Sequence, residues 1–164
     1  MGYITEFLIN EDKMKIITLV GKDRTWKTTL IKSVYNEILK EGLLLYYESE
    51  GADNQDFKAL IKWNDKIIAF CSIGDPADPK HIPSEYILRG LVFASKKEAD
   101  ILVNAYSKSF RYENNIEEFS YETYESIISV YKNNSLYIPI KIDDNAFREQ
   151  FDENCNRIIE EISK

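Results

Sequence analysis

Residues 14 to 39 constrain the fold of this chain more than any other stretch. The run Lys15-Ile-Ile-Thr-Leu-Val20 is a continuous apolar strand closed by Gly21. Beyond it, Leu30, Ile31, Val34, Tyr35, Ile38 and Leu39 recur on one face at helical period, and Gly42 stands just past the end of that pattern. Between strand and helix lies the loop Gly21-Lys22-Asp23-Arg24-Thr25-Trp26-Lys27-Thr28-Thr29. It fits the pattern G-x-x-x-x-G-K-[ST] at Gly21, Lys27 and Thr28 and departs from it at Trp26, where the second glycine belongs. A strand, such a loop and a helix in succession can hold a polyphosphate. Backbone N–H groups and the positive end of the helix dipole face the anion, Lys27 would neutralise its outer phosphates, and the Thr28 hydroxyl would ligate Mg²⁺.

Trp26 works against that use. A glycine before the lysine takes a positive φ freely, whereas a residue with a Cβ costs about 1–2 kcal/mol in the same conformation. The indole must also go somewhere. It would fold outward, lie over a bound base or ribose, or fill an abandoned phosphate site, and the residues alone leave all three open.

The rest of the chain alternates between strand and helix patterns. Leu43 to Tyr47 reads as a short strand, and Glu48-Ser-Glu-Gly-Ala-Asp-Asn-Gln-Asp56 as an acidic loop. Phe57 to Trp63 alternates apolar and polar, Asn64-Asp65 suits a two-residue turn, and Lys66 to Ile73 is nearly continuously apolar, as a central strand would be. A loop with Pro76, Pro79 and Pro83 leads to a helix from about residue 84, whose apolar positions are Ile87, Leu88, Leu91 and Val92. Ala99 to Ala105 is the next core strand. Tyr106 to Glu118 reads as a polar segment, followed by a helix carrying Tyr124, Ile127, Ile128 and Tyr131. Leu136 to Ile142 is a last strand, and Pro139 places it at an edge. Asp143-Asp144 is expected to cap a final helix with the stripe Phe147, Phe151, Cys155, Ile158, Ile159 and Ile162.

Alternating strands and helices imply an α/β domain of three layers, with a mostly parallel sheet and one antiparallel strand from the hairpin. Residues 14–164 form this single domain. Residues 1–13, with the apolar patch Tyr3 to Ile9, are an N-terminal extension or an edge strand. Ligands of such sheets sit at the carboxyl ends of the strands, where Gly21, Asp75 and Asn104 to Ser109 fall. The net charge of −7 argues against a broad nucleic-acid-binding surface and suits a protein partner. Cys71 and Cys155 have no neighbour at metal spacing and read as free thiols of a reducing compartment. No apolar run is long enough for a bilayer and no signal-peptide pattern precedes the domain, so a cytoplasmic location is expected.

Among single residues, Asp75 ends the central strand where a carboxylate could hold Mg²⁺ through water, although a Gly-Asp-Pro turn also simply stops a strand. Thr28 and Asp75 are thus the expected metal residues. Glu48, Glu50, Asp53 and Asp56 form a looser acidic group, read as a solvated loop from which one member could orient a water. Ser107, Lys108, Ser109 and Arg111 follow the fourth strand, and Arg24 and Arg89 are further cations that could stabilise charge. His81, the only histidine, sits in the Pro-rich loop as a surface residue. No Ser-His-Asp or Cys-His pairing presents itself, and catalytic residues are not assigned.

Ile16 to Leu30, Gly74-Asp75-Pro76 and Ala99-Asp-Ile-Leu-Val-Asn-Ala105 together resemble small P-loop NTPase-like proteins of bacteria and their mobile elements. The resemblance runs over most of residues 14–142, with only the loop a specific motif. It implies a P-loop NTPase-like fold binding nucleotide and Mg²⁺, with Gly21 to Thr29 as the nucleotide loop and Asp75 as the strand-end acid. The antiparallel hairpin is like the arrangement in GTPases, but Asn104-Ala-Tyr-Ser107 stands where a guanine-specific Asn-Lys-x-Asp motif would be. ATP is therefore expected over GTP, with at most slow hydrolysis. Two alternatives stand beside this reading. One is a catalytically silent relic acting as a protein-binding or regulatory module. The other is a small-molecule or nucleotide kinase, which five arginines in the whole chain support poorly.

Overall fold

The structure is a computed structural model that describes residues 14–22, 25–50, 56–73, 88–107, 109–112, 115–118, 124–126, 128–129 and 136–164. Its centre is a six-stranded mixed sheet in the order β2-β3-β4-β5-β1-β8. The strands are β1 (Lys15–Gly21), β2 (Leu43–Glu50), β3 (Asp56–Trp63), β4 (Lys66–Cys71), β5 (Ile101–Ser107) and β8 (Tyr137–Lys141). β4, β5, β1 and β8 run parallel, while β3 is antiparallel to both β4 and β2. A second, two-stranded antiparallel sheet joins β6 (Ser109–Tyr112) to β7 (Asn115–Glu118). Among the described residues the longer helices are α1 (Lys27–Leu39), α2 (Arg89–Lys96) and α3 (Phe151–Ser163). An α/β domain with a mostly parallel sheet and an antiparallel hairpin strand is therefore what forms.

Alternation along the strands sorts side chains into two cores, one on each face. Ile17, Leu19, Phe57, Ile61, Ile68, Phe70, Ile101 and Val103 meet Leu30, Ile31, Val34, Tyr35 and Ile38 of α1 and Cys155, Ile158 and Ile162 of α3. Ile16, Val20, Ala69, Cys71, Leu102 and Tyr106 meet Leu91, Phe93 and Ala94 of α2 together with Tyr124 and Ile128. β5 and β1 are buried on both faces, in line with their largely apolar sequences. Pro139 lies on β8, paired to β1 on one side only, as its missing N–H requires.

The turn at Asn64 and Asp65 has φ of 50° and 62°, the left-handed pair that suits the twist of a tight hairpin. Gly42 acts differently from the helix stop expected of it. Its role is close approach, since a Cβ there would stand 2.4 Å from Ile61 Cγ2.

Several boundaries depart from the sequence reading. β2 continues through Glu50 and β3 begins at Asp56, so both ends of the acidic stretch are strand rather than loop. The ladder between them supplies the backbone hydrogen bonds that polar composition obscured. Tyr106 and Ser107 belong to buried β5, and the segment read as merely polar after them contains the β6–β7 hairpin. Asp143-Asp144 does not cap α3. That helix starts at Phe151 behind Gln150, which makes no side-chain cap. Asp143 instead accepts the Asn145 N–H at 2.9 Å in a preceding turn. The expected helix start at residue 84 and the extension 1–13 lie outside the described residues.

Candidate functional site

The first observation is backbone geometry. Trp26 occupies the N-cap of α1 at φ 61° and ψ 28°, the left-handed conformation that the glycine of the pattern would supply. Its indole lies edge-on to Phe147 and Phe151, at centroid distances of 5.3 and 6.0 Å, with the Arg148 guanidinium 5.5 Å from the ring. Edge-on aromatic pairs contribute about 0.5–1.5 kcal/mol each, comparable to the cost of a left-handed non-glycine residue. The seam with the segment leading into α3 therefore offsets the strain at Trp26. Of the three destinations open to the indole, the structure shows the outward one.

The loop closes on itself around this point. Gly21 ends β1 opposite Ser107 of β5, and a Cβ on it would come within 2.8 Å of Thr25 Oγ1 and 3.1 Å of Ile142 Cβ. The Thr25 hydroxyl donates to the Lys22 carbonyl at 2.8 Å. Lys27 is buried, and its ammonium donates to the same carbonyl and to Thr25 Oγ1 at 3.3 Å. A buried ammonium needs such acceptors. Lys22 is exposed, and its ammonium stands 3.8 Å from the Asp144 carboxylate. α1 begins at Trp26 with no side-chain cap hydrogen bond and no acidic residue in its first turn.

At the start of α1, the Thr28 hydroxyl donates to Asp56 Oδ1 at 3.0 Å. The Ser72 hydroxyl donates to the same oxygen at 2.9 Å and accepts the Phe57 N–H at 2.9 Å. The antiparallel direction of β3 makes this possible. Its first residue lies at the sheet end where the parallel strands finish, and α1 crosses β3, β4 and β5 to meet it. Ser107 completes the group at that end. It is buried, alternates onto the α1 face with Val103 and Ala105, and its hydroxyl has no hydrogen-bond partner among the described residues.

Of the residues expected from sequence, Gly21 and Lys22 lie at the end of β1, and Thr25, Trp26, Lys27, Thr28 and the exposed Thr29 at the start of α1. Asp23, Arg24, Asp75, His81, Lys108 and Asp53 lie outside the described residues. The carboxylate beside Thr28 is Asp56, which the sequence reading had left in the acidic loop. Glu48 is elsewhere, beside Tyr46 and Lys58. Asn104 is not at a strand end. It sits inside, level with Thr18, accepts the Thr18 hydroxyl at 2.7 Å and donates to the Tyr124 hydroxyl at 3.0 Å. Ser72 was missed altogether. The signal available was a lone hydroxyl inside the apolar run Ile67 to Ile73.

The chemistry of this set is hard oxygen donors beside an ammonium. One carboxylate and neutral hydroxyls suit Mg²⁺ that shares its shell with phosphate and water, rather than a cage made by protein alone. No cluster of three or more His, Cys, Asp or Glu able to hold a metal occurs among the described residues. No protein-family model, curated protein or solved structure matches this chain. Among the described residues no helix is long and apolar enough to cross a membrane.

Proposed function

We propose that the chain is a P-loop-class nucleotide-binding protein, taking ATP with Mg²⁺ between the Gly21–Thr29 loop and the start of α1, with at most slow hydrolysis. The observation that carries this reading is the left-handed Trp26. The loop keeps the backbone shape that glycine would give it, and the side chain is accommodated against Phe147 and Phe151. Lys27 would exchange its bond to the Lys22 carbonyl for the outer phosphates. Thr28 and Asp56 would hold Mg²⁺, with Ser72 orienting the carboxylate. The orphaned Ser107 hydroxyl fits a polar ligand or water beneath the loop. Slow turnover follows because the described residues of this group offer a single carboxylate, already engaged by Thr28 and Ser72, and no second group placed to activate water.

A second reading, a silent relic that binds a protein, is favoured by edge strand β2. Leu43, Leu44, Leu45 and Tyr47 are all exposed there, beside a backbone edge that pairs with no other strand among the described residues. The two readings separate in one experiment. With Trp63→Phe leaving Trp26 as the single indole, ATP and Mg²⁺ should shift its emission and raise the melting temperature, and Lys27→Ala should abolish both effects. Absence of either response at millimolar ATP favours the relic.

A further inference from the structure

On the α1 face of the sheet, beside edge strand β2, an ammonium and a phenol share a hydrogen bond at the surface. The Lys32 ammonium donates to the Tyr47 hydroxyl oxygen at 2.5 Å. Neighbouring rings hold both groups in place. Tyr47 stacks on Phe57 with centroids 5.8 Å apart and planes 18° from parallel, and its ring lies 5.8 Å from that of Tyr35. The Lys32 ammonium stands 4.5 Å from the Phe57 centroid and 5.2 Å from that of Tyr35. Attraction to these ring faces fixes the lysine over the aromatic surface and leaves its N–H groups to the phenol oxygen.

Exposure and bonding both set Tyr47 apart from the tyrosines of the core. Tyr35, Tyr106, Tyr124 and Tyr137 are buried, whereas Tyr47 is 38% exposed. The adjacent Tyr46 hydroxyl donates its proton to the Glu48 carboxylate. Tyr47 has the opposite arrangement, because an N–H bond accepted from an ammonium favours the ionised oxygen. The Lys32 hydrogen bond, against the opposing effect of desolvation and with help from Ser49, holds the Tyr47 phenol below the usual tyrosine range. Burial first, and then the Tyr47 charge beside it, push the Tyr35 phenol up. Lys32 and Tyr35 are the titratable groups of α1 that touch Tyr47, and β3 meets it with the apolar Phe57. Glu48 and Lys58 pair on the opposite face of these two strands.

We propose that Tyr47 is a nucleophilic phenol, the position at which this chain accepts a group from an activated acyl or sulfonyl donor. The phenol proton passes to solvent and the phenolate oxygen attacks the carbonyl carbon or the sulfur. A new O–C or O–S bond forms while the bond to the leaving group breaks, and the leaving group departs with that electron pair. Lys32 is a positioning residue, which holds the oxygen in its ionised form and aimed outward. The assignment does not depend on nucleotide binding at the Gly21–Thr29 loop.

The test is labelling of the folded protein with N-acetylimidazole and, in parallel, benzenesulfonyl fluoride, with the modified residues located by peptide mass spectrometry. Imidazole and fluoride are the respective leaving groups. Near neutral pH at least one reagent should modify Tyr47 at least about tenfold faster than Tyr46, the ratio that one unit of pKa gives in ionised fraction. The faster reagent identifies the preferred donor class. Lys32→Gln, with folding checked by thermal melt, should slow Tyr47 labelling at least about threefold and move the midpoint of its pH–rate profile upward. A role for Lys32 in packing alone would leave that midpoint in place. A smaller preference for Tyr47, a Lys32→Gln protein labelled as wild type is or with an unmoved profile, or label on the Lys32 nitrogen in place of Tyr47 would each overturn the assignment.

Discussion

Trp26 stores a conflict between local and tertiary preference. An L-residue at φ 61° costs about 1–2 kcal/mol, and the indole recovers a similar amount from Phe147, Phe151 and Arg148. Two substitutions separate the terms. Trp26→Ala keeps the strain and loses the contacts, while Trp26→Gly loses both. The glycine variant should therefore be more stable than the alanine variant by about 1 kcal/mol, the reverse of the order at an ordinary helical position. Chemical denaturation of the two measures it. An alanine variant as stable as the glycine variant would show that the left-handed conformation is not held in solution. Because the indole lies outward, Trp26→Gly should change nucleotide affinity less than about threefold, under 1 kcal/mol.

Among the elements, β1, α1, β4 and α3 were legible because one period dominates each. Ile16 to Val20 is apolar apart from Thr18, and the stripe from Leu30 to Leu39 is helical throughout. The hairpin was legible from Asn64-Asp65, whose residue types tolerate the φ values found. What escaped were elements with polar sequence held by backbone pairing, namely the ends of β2 and β3 and the β6–β7 hairpin. The site divides the same way. Gly21, Lys27 and Thr28 are contiguous and readable, whereas Asp56 and Ser72 join them only through the antiparallel register of β3 on β4. The buried Thr18–Asn104–Tyr124 triangle was invisible for the same reason, since its members meet across β1, β5 and the helical turn at Tyr124. Its loss should be costly. Asn104→Ala strands part of two buried hydroxyl groups and should destabilise by about 1–3 kcal/mol, read from denaturant midpoints. A loss under about 0.5 kcal/mol would mean water replaces the amide.

At the scale of the whole molecule, the sheet gathers chemistry at one end and divides it between two faces. β5 lies between β4 and β1, so no residue of β4 can be a direct neighbour of the Gly21 strand. α1 spans that gap, carrying Thr28 across to Asp56 and Ser72. On the other face Lys58 of β3 pairs with Glu48 of β2. Asp56 is therefore the residue on which metal-dependent binding at the loop depends in this reading. If its carboxylate meets Mg²⁺ on a bound nucleotide, Asp56→Asn, which keeps an oxygen to accept from Thr28 and Ser72, removes the charge and little else. Isothermal titration of ATP into wild type and Asp56→Asn, each with and without Mg²⁺, measures this directly. The predicted result is wild-type binding strengthened by Mg²⁺, a loss of about tenfold in the variant when Mg²⁺ is present, and metal-free affinity within about twofold of wild type. No binding by wild type at millimolar ATP with Mg²⁺, or an equal loss with and without the metal, would contradict it.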